Sequence, residues 1–225
     1  MRSKSIAVII VAAGKGERAS NGDASGPKQY RAVGGVPILA RSIAAFLNRP
    51  EIAMVLPVIH AGHAGLYEAL GLAGERLLPP AIGGDTRQAS VLAGLQALAP
   101  KNPDIVLIHD AARPFVSARL IAEVISGLEG ADGALPALPV TDTIKRAPDG
   151  SLVTATEDRA TLFAAQTPQG FRFGPILSAH MRAASLPRPF TDDAEIAEWA
   201  GLRVVLTPGS RDNIKITHPE DFIRA

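Results

Sequence analysis

Ile6-Ala7-Val8-Ile9-Ile10-Val11-Ala12-Ala13-Gly14-Lys15-Gly16-Glu17-Arg18-Ala19 decides the fold of this chain. Residues 6–12 form an unbroken apolar run rich in β-branched side chains, the pattern of a strand buried on both faces of a parallel sheet. It runs into Gly14 and Gly16, which let the backbone approach a phosphate and aim N–H groups at it. Basic residues ahead of an apolar run also resemble a secretory leader. The run ends, however, in Lys15, Glu17 and Arg18, where a cleavage site needs small neutral residues. A buried first strand is the better reading.

Residues 55–59 and 105–108 repeat the strand character. Between them, residues 86–98 put Val91, Leu92, Leu95 and Leu98 on one helical stripe. After the second, Ser117 is placed to cap a helix with Leu120, Ile121, Val124, Ile125 and Leu128 on one face. This alternation predicts an α/β fold with right-handed crossovers and a mostly parallel sheet covered by helices on both faces. Pro136 and Pro139 then bracket a short extended piece. Runs 143–147 and 151–156 flank Pro148-Asp149-Gly150 and read as a β-hairpin. Its polar outer residues predict an arm over residues 140–160 that projects from the body. Asp192 and Glu195 make a capping-box-like start for a helix containing Ile196 and Trp199. Residues 203–206 are one more strand, and Pro219 opens a last helix. With no repeat or linker in view, residues 1–225 read as a single domain.

Composition removes several classes of function. The 23 Lys and Arg balance 22 Asp and Glu, a formal charge of +1, which argues against a binder of nucleic-acid backbone. The 7 Phe, 2 Tyr and 1 Trp are too few for a base-stacking platform. The absence of cysteine excludes disulfides, thiolate metal sites and a cysteine nucleophile, and fits a cytoplasmic setting. No apolar run approaches the roughly 18 residues of a membrane span.

The glycine loop admits rival readings. Gly14-x-Gly16-x-x-Ala19 also satisfies the dinucleotide fingerprint, which needs an acid about 20 positions on, at the end of the second strand. That region reads Gly34-Gly35-Val36-Pro37, and the second strand arrives only near Val55, so a nicotinamide enzyme is disfavoured. No Gly-x4-Gly-Lys-Ser/Thr is present, so a P-loop is not supported. Arg18 and Lys28 instead flank a polar connection over residues 20–26 that Pro27-Lys28-Gln29 closes. Two cations beside a glycine loop can fold over a triphosphate and offset the charge that develops as pyrophosphate leaves.

Other residues carry two readings each. Asp110 ends the strand beginning at Ile105, at the carboxyl edge where open α/β sheets bind ligands. Its carboxylate suits a divalent cation or a substrate hydroxyl, or simply a cap on the turn that Pro114 completes. Gly84, Asp85 and Ser90 beside a helix start suit a nucleobase, or ordinary capping by Asp85 or Thr86. Lys215 in Ile214-Lys215-Ile216 suits a phosphate, or the outward position of an amphipathic strand. His109 is structural, because a phosphate nucleophile is already ionised at neutral pH. His60 and His63 lack a third ligand for a metal.

Taken in order, Ala12-Ala13-Gly14-x-Gly16-x-Arg18, Pro27-Lys28-Gln29, Gly84-Asp85-x-Arg87-x-x-Ser90, His109-Asp110-Ala111-Ala112-Arg113-Pro114, Asp142-Thr143, Asp158-Arg159, Gln166-Thr167-Pro168-Gln169, Thr191-Asp192 and Asp212-Asn213-Ile214-Lys215 form a series. This series resembles the 2-C-methyl-D-erythritol 4-phosphate cytidylyltransferase family of the non-mevalonate isoprenoid pathway, over nearly the whole chain. The glycine loop is common to many sugar nucleotidyltransferases. The His-Asp-Ala-Ala-Arg-Pro segment with the later Asn-Ile-Lys is far narrower. Relatives that use ribitol 5-phosphate share most of these motifs and stand as the alternative.

The resemblance implies a Rossmann-like fold of the nucleotide-diphospho-sugar transferase type. The implied reaction is attack of a polyol phosphate on the α-phosphorus of CTP, with Mg²⁺ as cofactor. It implies that Arg18, Lys28 and Lys215 are the catalytic cations. CTP would be held by Ala12, Ala13, Gly14, Gly16, Gly84, Asp85, Ser90 and Ala111. The methylerythritol phosphate would be held by Asp110, Arg113, Thr143, Arg159 and Thr167, with Asp110 also the metal ligand. A non-catalytic nucleotide sensor would have lost one of the three cations, and all are present. The family also implies a homodimer in which the arms embrace the partner. Lys15 and Glu17 receive no role. The last helix has barely begun at Ala225, and some members are fused to a cyclodiphosphate synthase, so the expectation is the first half of a bifunctional protein or a trimmed chain.

Overall fold

A strand sandwiched between two helical layers needs apolar side chains at every position, and β1 (Ile6–Ala12) has them. Ile6, Val8 and Ile10 face one layer, while Ala7 and Ile9 face the other. The computed structural model describes residues 4–14 and 26–224. After β1 come the short hairpin strands β2 (Ala32–Val33) and β3 (Val36–Pro37), helix α1 (Ile38–Leu47) and β4 (Ile52–Ile59). There follow α2 (Ala64–Glu68), β5 (Ala81–Ile82), α3 (Arg87–Leu98), β6 (Ile105–Asp110), α4 (Ala118–Gly127) and β7 (Gly133–Pro139). The excursion β8 (Lys145–Arg146) and β9 (Ala155–Thr156) precedes β10 (Phe163–Ala165) and β11 (Gln169–Arg172). Helices α5 (Phe173–Ala183) and α6 (Asp193–Trp199), strand β12 (Val204–Pro208) and helix α7 (Asp221–Arg224) complete the order.

The main sheet has eight strands in the order β10-β7-β11-β6-β1-β4-β5, with β12 also on β7. β1, β4, β5 and β6 are mutually parallel, and β12 is parallel to β7. β11 runs antiparallel to both β6 and β7, and β10 antiparallel to β7. The sheet is therefore mostly parallel and mixed. α1 and α4 share the face of Ile6, Val8 and Ile10, whereas α3, α5 and α6 cover the other. Gly94 lets α3 lie close to the sheet, because a Cβ there would stand 2.9 Å from Val58 Cγ2. The expectation of uniformly right-handed crossovers is corrected here. The β1–α1–β4 and β6–α4–β7 connections run in opposite directions along the sheet with both helices on one face, so their hands differ. β6 and β7 are not neighbours, because β11 is inserted between them.

The helix starts obey their sequence signals. Thr86 Oγ1 accepts the Ala89 N–H at 3.0 Å, and Ser117 Oγ accepts the Leu120 N–H at 3.2 Å. At α6, Asp192 Oδ1 accepts the Glu195 N–H at 2.8 Å. The reciprocal half of the box is displaced by one residue, since Glu195 Oε2 accepts from the N–H and hydroxyl of Thr191 at 2.7 and 2.9 Å.

Between β7 and β10, β8 and β9 pair antiparallel, Lys145 opposite Thr156 and Arg146 opposite Ala155. Each strand is two residues long, shorter than runs 143–147 and 151–156. The loop closes on itself instead, with Asp149 Oδ1 accepting the N–H groups of Ser151 and Leu152 at 3.0 and 2.9 Å. Leu152 and Val153 are exposed.

Candidate active site

Beyond the last paired residues of a parallel sheet, backbone N–H groups emerge at the carboxyl edge with nothing fixed to bind. Here the chain folds that edge into a cleft of about 460 Å³. Its walls are Ala12, Ala13 and Gly14 at the end of β1, Lys28 and Gln29, and His60 after β4. Gly84 to Arg87 and Ser90 at the head of α3, Asp110 to Ala112 at the end of β6, and Lys215 close it. Two backbone bonds carry the sheet's pairing into this rim, from Ala111 N to Val11 O at 3.1 Å and from Gly83 N to Ile59 O at 2.8 Å.

Gln29 fixes the start of the glycine loop. Its buried side-chain amide donates to Ala12 O at 2.9 Å and to Gly14 O at 2.7 Å. Lys28 Nζ donates to Ile216 O at 2.9 Å, while Ile216 N donates to Ala112 O at 2.8 Å. Ile216 is buried with Val33 and Ile38. One apolar plug therefore anchors the segments that carry both lysines. Lys215 is not the outward residue of a strand: residues 214–217 form no strand, and Lys215 Nζ lies 2.7 Å from Asp110 Oδ2.

Asp110 is the electrostatic centre. Its other oxygen, Oδ1, accepts from Arg87 Nε at 3.0 Å, and its N–H donates to Thr167 Oγ1 at 3.1 Å. Burial pushes its carboxyl pKa up, but Arg87 and Lys215 outweigh that and hold it well below the usual carboxylate range. Arg87 also donates through Nη2 to the buried Asp193 at 2.8 Å. Burial lowers the Arg87 pKa, and its two carboxylate partners more than restore it.

His109 lies behind Asp110 with no exposed surface. Thr167 Oγ1 already accepts the Asp110 N–H, so its proton is free to go to His109 Nδ1, 3.1 Å away. His109 Nε2 then donates to Arg113 O at 3.0 Å, which makes the ring the neutral Nε2–H tautomer. Burial agrees, pushing its pKa down to about 4.

The expected site residues divide into four groups. Ala12, Ala13, Gly14, Lys28, Gly84, Asp85, Ser90, Asp110, Ala111 and Lys215 meet in the cleft. The Ser90 hydroxyl points at Gly84 O and Thr86 O, at 3.2 and 2.8 Å, and Thr86 caps α3, so Asp85 takes no part in the cap. Arg113 and Thr167 are beside the cleft but turned to the protein, with Arg113 Nη1 donating to Asn213 O at 2.8 Å. Thr143 and Arg159 are exposed and do not line this cleft, and Arg159 donates to Thr141 O. Gly16 and Arg18 lie outside the described residues. Sequence reading assigned no role to Arg87, Gln29 or Asp193. The first two stand inside quoted motifs, which was signal enough, while Asp193 reads only as an acid in a helix's first turn.

A divalent cation fits one way. Among the described residues no group of three His, Asp or Glu side chains could hold a metal. A Mg²⁺ ion commonly keeps several waters and takes one or two carboxylates plus substrate phosphates. Asp110, at the cleft's inner wall, is suited to be that single carboxylate, with phosphates and water supplying the other oxygens. The whole arrangement offers backbone N–H groups, the ammonium groups of Lys28 and Lys215, the Arg87 guanidinium and the carboxylates of Asp85 and Asp110 around one cleft, a cation-rich set matched to a polyphosphate.

Comparison with known proteins agrees. Residues 6–225 match the family model described as 2-C-methyl-D-erythritol 4-phosphate cytidylyltransferase. A bifunctional IspD/IspF enzyme of Bradyrhizobium diazoefficiens is 52% identical over 224 residues, covering 99% of this chain and 55% of the relative. That of Rhodopseudomonas palustris is 53% identical over 219 residues, with 97% and 54% covered. The chain thus spans about half the length of the curated relatives it matches. The crystal structure of 4-diphosphocytidyl-2C-methyl-D-erythritol synthase from Anaerococcus prevotii aligns with a TM-score of 0.86 at 29% identity, covering 100% of this chain and 97% of that one. The 2-C-methyl-D-erythritol 4-phosphate cytidylyltransferase of Thermus thermophilus aligns at 0.76 with 32% identity, covering 99% and 97%.

Proposed function

Because the chain belongs to the 2-C-methyl-D-erythritol 4-phosphate cytidylyltransferase family, we propose that it transfers the cytidylyl group of CTP to 2-C-methyl-D-erythritol 4-phosphate. The products are 4-diphosphocytidyl-2-C-methyl-D-erythritol and pyrophosphate. The observation that carries this reading is the meeting of Lys28 and Lys215, far apart in sequence, in one cleft whose wall also carries Asp110.

A phosphate oxygen of the polyol substrate attacks the α-phosphorus in line, and the bond to the β-phosphate oxygen breaks. The nucleophile is already an anion, so no general base is required, in keeping with a neutral, inward-facing His109. What the protein must do is bring two anions together and neutralise them. Lys28 and Lys215 supply fixed positive charge, joined by Arg18. Before substrate arrives, Asp110 holds Lys215, and a phosphate then takes over part of that contact. Asp110 would hold Mg²⁺ jointly with the triphosphate, and the ion's contribution is charge neutralisation. Ala12, Ala13, Gly84, Asp85 and Ser90 form the wall suited to cytosine, while Gly14, Gly16 and Ala111 offer backbone to the nucleotide.

The contacts to the polyol phosphate are assigned to Arg113, Thr143, Arg159 and Thr167. Thr143 and Arg159 stand on or beside the exposed arm, away from this chain's own cleft, which supports a homodimer whose arms complete the partner's site. No helix among the described residues is long and apolar enough to cross a membrane. We place the reaction in the cytoplasm, where CTP is available.

The direct test incubates the purified chain with CTP, Mg²⁺ and 2-C-methyl-D-erythritol 4-phosphate, with ribitol 5-phosphate in parallel. Pyrophosphate release and a cytidine diphosphate-linked product by mass spectrometry are expected with the methylerythritol substrate. Release with ribitol 5-phosphate alone would reassign the substrate, and release with neither would refute the enzyme reading.

A further inference from the structure

Asp193 is a carboxylate with no exposed surface, in the first turn of α6 and off the cleft wall. A buried ionised acid is costly unless a cation answers it. The answer is Arg87, whose Nη2 donates to Asp193 Oδ2 at 2.8 Å. The same guanidinium donates through Nε to Asp110 Oδ1 at 3.0 Å. Arg87 therefore gives one N–H to each of two carboxylates. A guanidinium facing a single carboxylate tends to engage both its oxygens in a two-pronged pair. Here the second prong is occupied by Asp193, and Asp110 Oδ2 is left to Lys215 Nζ at 2.7 Å. The other oxygen of Asp193 lies 3.3 Å from Nε2 of the fully buried His180, a contact outside hydrogen-bond geometry that hems the carboxylate in.

We propose that Asp193 is a positioning residue for the cytidylyl transfer, on which reading this inference rests: by holding Arg87 Nη2 it stops the guanidinium from closing on both oxygens of Asp110, and so keeps an oxygen for Lys215. Asp193 touches neither substrate nor reacting atoms. Without its charge the fork turns wholly onto Asp110, Lys215 is displaced from Oδ2, and the ammonium no longer enters the transition state from a fixed position.

The test is Asp193→Asn, which keeps the shape and removes the charge. We expect kcat for pyrophosphate release to fall about tenfold or more, with KM for CTP changed less than about threefold, in a variant that stays folded at the assay temperature though it melts lower for loss of the buried ion pair. An ammonium cannot fork, so in an Arg87→Lys background the same change should cost less than about twofold further. Equal losses in both backgrounds, or a wild-type kcat in Asp193→Asn, overturn the proposal. If Asp193→Asn melts below the assay temperature, Asp193→Glu, which keeps the charge, replaces it. A kcat within about threefold of wild type then supports the proposal, and a tenfold loss at unchanged melting temperature overturns it. A wild-type chain that releases no pyrophosphate overturns both readings, whereas an active wild type with an insensitive Asp193 overturns this one alone.

Discussion

His109 shows how one side chain can tie the site to the stability of the fold. Both ring nitrogens are spent inside the protein, Nδ1 on Thr167 and Nε2 on Arg113 O, and burial holds the pKa near 4 against an ordinary 6.5. The folded state therefore takes up its proton later than the unfolded state as pH falls. Between pH 6.5 and 4 the unfolded chain binds more protons, so stability is full above that window and declines through it. The span corresponds to about 3 kcal/mol if His109 acts alone. His63, also held low by burial and by His60, adds with the same sign. Asp110 and Asp193 are depressed acids, whose contribution is present above the ordinary carboxylate range near pH 4 and declines only below it. Urea midpoints measured from pH 7.5 to 5 should fall, and His109→Gln should flatten most of that slope. A wild-type midpoint that does not move would contradict the buried neutral imidazole.

Among the elements, the first turn of α3 governs how closely two walls of the cleft approach. Thr86 caps that turn, and Gly83 just ahead of it presses against the end of β1. A Cβ on Gly83 would stand 2.5 Å from Ala13 Cβ, which the backbone fixes, and 2.7 Å from Ser90 Oγ, which hydrogen bonds to Gly84 O and Thr86 O hold in place. Its φ lies outside the left-handed region, so substitution by alanine would be purely a steric insult. Gly83→Ala should destabilise the protein by about 1–3 kcal/mol, the usual cost of overpacking. Because Ala13 and Ser90 belong to the wall read as the cytosine side, the same change should weaken CTP binding by about tenfold, roughly 1.4 kcal/mol. Thermal melting and calorimetric titration separate the two effects, and unchanged affinity in the folded variant would remove Gly83 from the account of the site.

For the whole molecule, the exposed arm raises the question of where Thr143 and Arg159, proposed above to contact the polyol phosphate, act. The β8–β9 ladder is held by Lys145 Nζ to Thr156 Oγ1 at 2.7 Å and Arg146 Nε to Glu157 Oε1 at 2.6 Å, exposed contacts of small value in water. An isolated hairpin of this kind is marginal, so docking on a second copy would order it. If Arg159 works in trans, Arg159→Ala and Lys215→Ala subunits, each inactive alone, should complement after exchange. In a mixed dimer the Arg159→Ala subunit keeps its own Lys215 and borrows Arg159, which restores about a quarter of all sites under random pairing. Confirmed exchange without recovered turnover would mean the arm serves its own chain.

Local pattern was enough for β1, β4, β6, α3, α4 and β12, because burial on a sheet or along a helix stripe imposes a periodicity that needs no partner to be read. It was also enough for the caps at Ser117 and Asp192 and for Lys28, Asp110 and Lys215 as residues of one family motif set, while it left the α3 cap open between Asp85 and Thr86, which the fold gives to Thr86. β10 and β11 escaped it. Gln169–Arg172 holds a single large apolar residue, Phe171, and is a strand because β6 and β7 offer it two unfilled edges. The hand of the β6–α4–β7 crossover escaped as well, since it depends on which side of β6 the strand β7 settles and on which face α4 packs. So did the Arg87–Asp193 pair. Its two members are distant in sequence and meet only because α3 and α6 pack on one face of the sheet. Residue types and spacing determined which groups could bind a polyphosphate. Only packing decided which oxygen of Asp110 faces which cation, because a buried charge takes its partner from whatever the fold brings within reach.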